Sequence, residues 1–430
     1  MKHKEITVKM SAEFSRLLIG LVFLFSGFVK AIDPMGFEIK IEEYLNVWGL
    51  EGFQPLILLI AFNLIAFEFT LGINMLLGVY RRYTTWAVLA LMLLMTPLTL
   101  YLALFNPVTD CGCFGDALVI SNWETFFKNI LLLAASVIAL VYHRKLLSCY
   151  SAKTRWFVPL FAYACCLFFA CWNYNHLPLV DFRPYKEGVH IPTQMSIPEG
   201  VPEDEYRYSF VYEKDGVRKE FSLDDYPAGD SSWTFVESKT ELVKEGYTPP
   251  IPAFGVYDLA GNEVGDIILG HSEDLFLLIA ARIEETSDKH LDEINNLYDY
   301  AEEHEIPFYC LTGSSDREIE NRINRTGTEY PFLKADAMLL KTIIRSNPGL
   351  LWMNNGTILK KWHHNDLPEE EEINSLLTGG REGVTGKDKR NAWIYVSVFT
   401  FALPLLLVWI YDILYSRRRK NYSGMQSEWE

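Results

Sequence analysis

The stretch Asp110-Cys-Gly-Cys-Phe-Gly-Asp116 decides how the chain divides. It is short, acidic and punctuated by glycines, and it lies between two long apolar runs, residues 84–105 and 126–142. Two of the seven cysteines, Cys111 and Cys113, stand in it one residue apart. A polar turn between apolar runs predicts a loop that joins two membrane-spanning helices. The cysteine pair makes this loop the first candidate for chemistry.

The composition indicates a chain with two kinds of environment. Its 430 residues are 50% hydrophobic, yet they carry a formal charge of −16. Soluble proteins this acidic do not usually contain apolar runs of about twenty residues, the length that crosses a bilayer. We therefore predict a membrane part joined to an acidic aqueous part. The charge gives no support for a nucleic-acid partner, because such binding needs a basic surface.

Six segments are apolar enough to be membrane-spanning helices. They are residues 14–32, 55–79, 84–105, 126–142, 156–172 and 391–415. Basic residues precede the first segment, but no small-residue cleavage site follows it, so we predict a retained helix rather than a signal peptide. Basic residues also cluster between the second and third segments, between the fourth and fifth, and after the last. Because basic connections face the cytoplasm, we predict both termini inside and residues 173–390 outside.

Residues 173–390 form the predicted aqueous part. Residues 173–200 are rich in proline and predict an extended connector along the membrane. The alternating pattern of 206–223 turns at Asp215-Gly216 and predicts a β-hairpin. From about residue 250 the pattern alternates between strands and helices. We predict hairpins over 254–269 and 350–362, strands over 275–281 and 306–312, and helices over 288–303, 316–325 and 369–377.

This order of elements resembles a thioredoxin-like domain over residues 251–378. Asn347-Pro348-Gly-Leu-Leu-Trp-Met-Asn-Asn-Gly356 is similar to the cis-proline strand of that family and the hairpin after it, so the resemblance implies a cis-proline position at Pro348. The family places its redox cysteines at the start of the helix after the first long central strand. Here that position, residues 281–288, has no cysteine, and Cys310 stands alone on the next strand. We predict the fold without its dithiol, and a fold alone confers no activity.

The membrane half resembles the DoxX/MauE family. The resemblance rests on Arg16-Leu-Leu-Ile-Gly-Leu-Val-Phe-Leu-Phe-Ser-Gly-Phe-Val-Lys30, on Glu68 ahead of Leu71-Gly72, and on the Cys-Gly-Cys-Phe-Gly string. DoxX members are linked to quinone-coupled sulfur oxidation. MauE members accompany a thioredoxin-like partner in the maturation of methylamine dehydrogenase, a disulfide-rich periplasmic enzyme. The stretch His176-Leu-Pro-Leu-Val-Asp-Phe-Arg-Pro-Tyr185 is similar to the connector of Bacteroidetes-type members that fuse both parts.

Together the two resemblances imply an α-helical membrane bundle with an α/β thioredoxin-like periplasmic domain, in the bacterial inner membrane. The predicted units are a DoxX/MauE-like four-helix domain (1–145), a fifth transmembrane helix (146–172), a connector with the β-hairpin (173–250), a thioredoxin-like domain lacking CxxC (251–378), a tether (379–390), a C-terminal transmembrane helix (391–415) and a cytoplasmic tail (416–430).

The cysteine pair has two interpretations. In the first, Cys111 and Cys113 are redox-active and accept electrons from periplasmic thiols. A bridge across one glycine closes a small strained ring, and strain makes a disulfide easier to reduce. In the second, the pair is a structural staple or two free thiols. Two cysteines with no histidine nearby in sequence do not make a zinc site, so we predict no metal.

The residues around the pair bear on its reactivity. Exchange needs a thiolate, and neighbouring carboxylates raise a thiol pKa. Two features of the chain would lower the thiol pKa again: the positive charge of Lys128, and the start of a helix near Trp123. The glycines of the loop permit a tight backbone. The predicted loop support is Asp110, Gly112, Gly115 and Asp116.

Glu68 lies in the middle of the second segment, where a charge is costly. One hypothesis makes Glu68 a proton or quinone site, with Arg16 and Lys30 of the first segment beside it. The alternative is a neutral carboxyl satisfied by Asn63, Asn74 or another helix, with both basic side chains extending toward the membrane surface.

The remaining candidates have stronger structural interpretations. Cys171 of the fifth segment is a candidate relay to the pair, whereas Cys165 and Cys166 are typical of helix packing. His363-His364 has the form of a weak metal pair, but a solvated loop is the favoured interpretation.

Two functions from different classes follow. The first is a membrane thiol-redox protein that exchanges electrons with envelope thiols and uses quinone as its candidate acceptor, with no other cofactor expected. The second is a non-enzymatic scaffold that presents a redox-inactive binding domain. The sequence leaves open whether the chain is an oxidoreductase. The partners expected are membrane lipid and periplasmic proteins with thiols or disulfides.

Overall fold

A computed structural model of the chain describes residues 2–50, 54–108, 110–202, 205–214, 216–222, 225–227, 232–244, 246–286, 288–378 and 387–426. Asp215 of the predicted hairpin turn and residues 379–386 of the predicted tether lie outside these ranges. The described residues form a helical bundle, a small three-stranded sheet and a larger mixed α/β domain.

All six predicted membrane segments are helices with the length and apolar composition needed to cross a bilayer, so the chain is a membrane protein. The bundle consists of α1 (Lys2–Ile32), α2 (Pro34–Val47), α3 (Gln54–Leu77), α4 (Arg81–Phe105), α5 (Asn122–Val141), α6 (Phe157–Asn175) and a C-terminal helix (Lys387–Gln426). Several helices exceed their predicted segments, because polar turns continue the helix beyond the apolar part that sequence patterns detect.

The α2 helix lies between the first two predicted membrane segments, where the sequence analysis assigned no helix. Its start is fixed locally, since the Asp33 carboxylate accepts a hydrogen bond from Gly36 N at 2.8 Å and Pro34 occupies the first turn. Both features favour a helix N-terminus. The helix therefore places Lys40 and Tyr44 beside the cysteine loop rather than leaving them in solvent.

Helices α1 and α3 pack closely because glycines line their contact. A Cβ atom on Gly27 would lie 2.7 Å from the backbone nitrogen of Phe69, and one on Gly20 would lie 2.8 Å from the Leu76 side chain. Backbones this close leave no room for a side chain, which is the usual role of small residues between membrane helices.

We expect Gly27→Ala to destabilise the bundle by about 1–3 kcal/mol, because the new methyl group meets backbone that cannot rotate away. Thermal unfolding of the full-length protein in detergent measures the loss. Leu94→Ala, on a side chain that is 65% exposed and available to lipid, is the matched control and should change the midpoint little. An equal shift in both variants would contradict the close contact.

The bundle has two distinct ends. At one, the basic end, Leu147 N donates to the Glu13 carboxylate at 2.5 Å, and Ser151 Oγ donates to Asp412 at 2.6 Å. At the other, the loop end, the cysteine loop lies beside the corner between α1 and α2. The α/β domain contacts the loop end, since Arg345 of that domain forms an ion pair with Asp33 at 2.9 Å.

The α/β domain is built on a six-stranded sheet. Its strands are β4 (Val256–Tyr257), β5 (Asp274–Ala280), β6 (Phe308–Thr312), β7 (Phe332–Ala335), β8 (Gly349–Asn354) and β9 (Thr357–His363). Their order in the sheet is β4-β7-β6-β5-β8-β9. Strand β5 pairs in parallel with β6, and β6 with β7, whereas the pairs β4–β7, β5–β8 and β8–β9 are antiparallel. The helices preceding and covering it are α7 (Ile191–Met195), α8 (Gly265–Leu269), α9 (Leu291–Glu303), α10 (Asp316–Thr326), α11 (Ala337–Ile343) and α12 (Glu370–Thr378).

The predicted strands over 275–281 and 306–312 and the hairpin over 350–362 are confirmed. The hairpin predicted over 254–269 is wrong in its second half, because Gly265–Leu269 is helical. Ile268 and Leu269 are buried there by the rest of the domain, so tertiary packing overrides a weakly alternating pattern. Sequence patterns also missed β7 and α11.

The small sheet has the order β2-β1-β3, with β1 (Glu205–Lys214), β2 (Val217–Ser222) and β3 (Thr234–Lys244). The predicted hairpin is present as the antiparallel β1–β2 pair, and β3 was not predicted.

The connector does not run free along the membrane. Ile191 is fully buried in the core of the α/β domain, and its backbone nitrogen donates to Gly356 O at 2.9 Å. Gly188 N likewise donates to Ile358 O at 2.7 Å. The connector is therefore part of the α/β domain, because its apolar side chains fill that core.

The thioredoxin-like resemblance singled out two positions of the α/β domain, Pro348 and the residues that follow β5. The Asn347–Pro348 peptide bond is cis. Residues 281–286, which follow β5, include a short 3-10 helix at Ile283–Glu285. Cys310 is buried on β6, and burial raises its pKa, as expected of a packing cysteine.

Candidate functional site

Hydrogen bonds to the backbone carbonyl groups of the two cysteines hold the cysteine loop in place. The Tyr44 hydroxyl donates to Cys111 O at 2.8 Å, and Ser26 Oγ donates to Cys113 O at 2.5 Å. Gly112 adopts a φ of 66°, in the left-handed region that favours glycine. This fold of the backbone brings Cys111 Sγ and Cys113 Sγ to 2.9 Å, without a covalent bond between them.

Lysines from three helices surround the loop. Lys40 of α2 lies 3.0 Å from the Asp110 carboxylate. The Lys128 ammonium of α5 lies 4.1 Å from the centre of the Phe114 ring. Lys30 of α1 pairs with Glu68 at 2.7 Å. The loop therefore faces a cationic part of the bundle, although its own sequence is acidic.

The two thiols differ in acidity because they share a hydrogen bond. The bond from Cys111 lowers the pKa of Cys113 to about 6, although burial opposes the shift, and the charges of Lys128 and Lys30 lower it further. The same bond and burial raise the pKa of Cys111. The pair thus loses its first proton readily and its second with difficulty, as coupled groups do. Cys113 is the thiolate of the pair.

The rate at which iodoacetamide alkylates Cys113 in the reduced protein is expected to rise as the pH increases through about 6. The lowered pKa makes the reactive thiolate abundant above that pH, whereas an ordinary thiol needs a pH near 9.0. Mass spectrometry of the modified peptides gives the profile, with exposed Cys149 as an internal control for the reagent. A midpoint near 9 for Cys113 would contradict the arrangement.

The acidic flanks of the loop are neutralised by distant cations. Arg345 is buried between Asp33 at 2.9 Å and Asp116 at 3.2 Å, so it ties the α/β domain to the loop. Burial raises the pKa of Asp116, and the Arg345 charge lowers it. From the sequence alone, the carboxylates of Asp110 and Asp116 were expected to raise the thiol pKa and so make the cysteine pair a poor nucleophile. Their partners come from α2 and from the α/β domain, which no local pattern reveals.

The predicted group of Glu68, Arg16 and Lys30 does not form one cluster. Glu68 and Lys30 are an ion pair close to the cysteine loop, so the partner of Glu68 comes from another helix rather than from Asn63 or Asn74, and Lys30 does not extend to the membrane surface. Arg16 lies about 21 Å from Lys30 along α1, at 1.5 Å per residue. There it binds Glu13 at 2.7 Å and two carbonyl groups at the end of α3. Its contacts are those of a helix-capping residue.

The histidine pair is not a solvated loop. His363 is buried, and its ring centre lies 4.0 Å from that of His364. Burial lowers the pKa of His363 to about 3, and the neighbouring His364 lowers it further. Within the described ranges, no group of three or more His, Cys, Asp or Glu side chains is arranged to hold a metal ion.

The cysteines of α6 lie apart from the loop. Cys166 is buried in the packing between α3 and α6, and Cys171 is exposed. No contact between Cys171 and either loop sulfur occurs among the described residues, so the structure gives the relay hypothesis no direct path.

Two family models match the chain. Residues 8–142 match the model described as methylamine utilisation protein MauE. Residues 206–245, which contain the small sheet, match a domain of unknown function, DUF8463. No curated protein and no solved structure matches the chain. The chain therefore contains a MauE family domain, residues 8–142, that carries the cysteine loop.

Proposed function

We propose that the protein is a thiol-redox protein of the bacterial inner membrane, in which Cys111 and Cys113 exchange electrons with thiols of envelope proteins. The observation that carries the proposal is the 2.9 Å approach of the two sulfurs beside Lys30 and Lys128, with one thiol made acidic and the other not. This asymmetry suits disulfide exchange, which needs one attacking thiolate and one resolving thiol. The match of residues 8–142 to MauE supports a redox or methylamine-utilisation setting.

The proposed cycle balances two electrons and two protons. Two client thiols reduce the Cys111–Cys113 disulfide to a dithiol and leave with a disulfide of their own. The dithiol returns to the disulfide when it passes two electrons and two protons to a quinone, which becomes a quinol. The Lys30–Glu68 pair, at the membrane end of this route, is the proposed site of proton transfer beside the quinone.

The proposed orientation places the loop end in the periplasm. Basic residues of the 81–82 and 144–155 connections gather at the opposite end, which would then face the cytoplasm with both termini. The α/β domain, which contacts the loop end, would be periplasmic with the loop. Its parallel β5–β6–β7 strands, its antiparallel β8–β9 hairpin and its cis bond before Pro348 support a thioredoxin-like fold. We propose that this domain presents clients to the loop without exchanging disulfides itself.

The test is to trap the client. In Cys111→Ser, the Cys113 thiolate can attack the disulfide of an oxidised client, the reverse of the proposed step, and one client sulfur leaves as a thiolate. Because no resolving thiol remains, acid-quenched cells should contain mixed disulfides that reductant removes. In Cys113→Ser, the hydrogen bond and charge of Cys113 no longer raise the pKa of Cys111, but burial still does, so trapping should be weaker than in Cys111→Ser. In the intact protein the pair should cycle between states that thiol alkylation distinguishes. A pair that stays in one state under both reductant and oxidant contradicts the proposal.

The same cells test the orientation. Cys113, the more acidic thiol of the pair, should react with membrane-impermeant thiol reagents in intact cells, while Cys149 at the basic end should react only with permeant ones. The reverse pattern would place the loop end in the cytoplasm.

A scaffold is the second candidate. The observation that favours it is the absence of cysteine from residues 281–288 of the α/β domain, which leaves that domain a binding module. Under this alternative, the cysteine pair would not cycle between dithiol and disulfide. Deletion of the α/β domain would still release the protein partner that the scaffold binds.

A further inference from the structure

Four histidines meet where the α/β domain contacts the end of α6, at positions that neither proposed function uses. They are His176 after α6, His290 before α9, His363 at the end of β9 and His364 next to it. The ring centres of His363 and His364 are 4.0 Å apart, and those of His176 and His363 are 6.4 Å apart. The ring of His290 lies 5.8 Å from that of His364. Histidine is the side chain whose charge changes near neutral pH, so the cluster is a candidate pH-sensitive contact.

The turn that follows His363 holds the end of α6 through two hydrogen bonds. Asn365 Nδ2 donates to Asn175 O at 2.8 Å, and the Asp366 carboxylate accepts from His176 Nδ1 at 2.7 Å. We call these two bonds the α6 contact. On the domain side, both residues of the α6 contact belong to the short 3-10 turn directly after β9. The contact therefore depends on the shape of that turn.

His363 fixes the shape of the turn, and it does so only as a neutral ring. The residue is buried, at 1% exposure, and its Nδ1 accepts a hydrogen bond from Asn365 N at 3.2 Å. A proton on Nδ1 would set two N–H groups against each other and remove the acceptor from the turn. Burial and the adjacent rings of His364, His176 and His290 oppose the charge as well, and they lower the pKa of His363 to about 3.

The charged groups around the cluster already have partners. Asp181, Arg183, Glu187, Lys361 and Asp366 line the same cavity as His363. The pairs are Asp181 with Arg183 and Lys361, Asp366 with His176, and Glu293 with His290, while Glu187 accepts from Lys361 N. None of the carboxylates that the structure describes forms an ion pair with His363. A proton on this ring would therefore have no counter-charge.

We propose that the α6 contact is a pH-sensitive device: a proton on His363 displaces the backbone of Asn365, and the α/β domain then releases the end of α6. In the released state the ring is solvated, and its pKa returns to about 6.5. Because the released state binds the proton more tightly, the contact is intact above about pH 6.5 and weakens as the pH falls below that value. The Arg345 ion pairs with Asp33 and Asp116 involve no histidine, so the domain stays attached at the loop end.

Hydrogen exchange of the full-length protein in detergent at pH 7.5 and 5.5 tests the proposal, after correction for the intrinsic effect of pH on exchange. Peptides that cover 172–178 and 363–368 should lose protection about tenfold at pH 5.5, whereas β5 and β6 should keep theirs. In His363→Asn, the amide oxygen still accepts from Asn365 N but takes up no proton, so the acid loss should disappear. His304→Asn is the matched control, because His304 is an exposed histidine of the same domain, and it should keep the wild-type loss.

A second variant separates the two histidines at the contact. His176→Asn keeps a donor for Asp366 but does not titrate, so the acid loss should persist in it. Wild-type protection that is equal at the two pH values overturns the proposal, and so does an equal acid loss in His363→Asn and wild type.

If His363→Asn does not fold, the exchange of the ring C2 hydrogen of His363 in wild type replaces it. This ring should show no protonation step above pH 5.5, and a step near pH 6.5 would overturn the proposal. Both readouts are hydrogen exchange, so the result is independent of thiol exchange at the cysteine loop.

Discussion

Replacing Lys30 with methionine is expected to slow alkylation of Cys113 near pH 6 several-fold, whereas Glu68→Gln should speed it. After the hydrogen bond from Cys111, which burial opposes, the remaining influences on the pKa of Cys113 are charges. Lys128 and Lys30 lower this pKa, and Glu68 raises it. Removing the Lys30 cation therefore disfavours the thiolate, and removing the Glu68 anion favours it.

Both variants should also lose about 3–5 kcal/mol of stability, because each leaves a buried partner without its counter-charge. The shared loss is what makes the comparison informative. Misfolding alone would move the two alkylation rates in the same direction, whereas electrostatic control moves them in opposite directions. The double variant Lys30→Met/Glu68→Leu should recover most of the stability, since an apolar pair of similar volume removes both desolvation costs. Equal alkylation rates in the two single variants would contradict the role of this pair.

Sequence patterns located the membrane helices because apolar length is a property of each segment by itself. All six segments were found from composition and loop charge. The strands of the α/β domain were mostly found for the same reason, since β5 is a continuous apolar run with no polar interruption. The α8 helix was missed because its five residues are too few to show helical periodicity in the sequence. The burial of Ile268 and Leu269, which the sequence does not show, favours the helix.

The candidate site was only half visible in the sequence. The cysteine spacing and the loop glycines identified the place, because they are local. The charges that set its chemistry are not local: Lys30 meets Glu68 across 38 positions, and Arg345 meets Asp116 across 229. Reading the acidic flanks alone gave a less acidic Cys113 than the structure supports. The hydrogen bond between the two cysteines, which is local, lowers the pKa of Cys113 most, and the charges of Lys128 and Lys30 from other helices lower it further.

Replacing Arg345 with methionine is expected to release the cysteine loop from the α/β domain. The variant leaves Asp33, which is mostly buried, and Asp116 without their shared cation, a loss of about 3–5 kcal/mol for a broken buried pair. Loss of this contact should open the loop locally, so hydrogen exchange of residues 110–120 should accelerate in the full-length protein.

Arg322→Met separates this effect from general destabilisation. Arg322 is as buried as Arg345, and its partner Asp288 belongs to the same α/β domain. It should lower the unfolding midpoint of that domain while leaving exchange of residues 110–120 unchanged. If Arg345→Met leaves loop exchange at the wild-type rate, the ion pairs do not hold the loop. If both variants accelerate it equally, the loop depends on the stability of the α/β domain as a whole. Acceleration in Arg345→Met alone means that the Asp33–Arg345–Asp116 bridge fixes the position of the cysteine pair against its neighbouring domain.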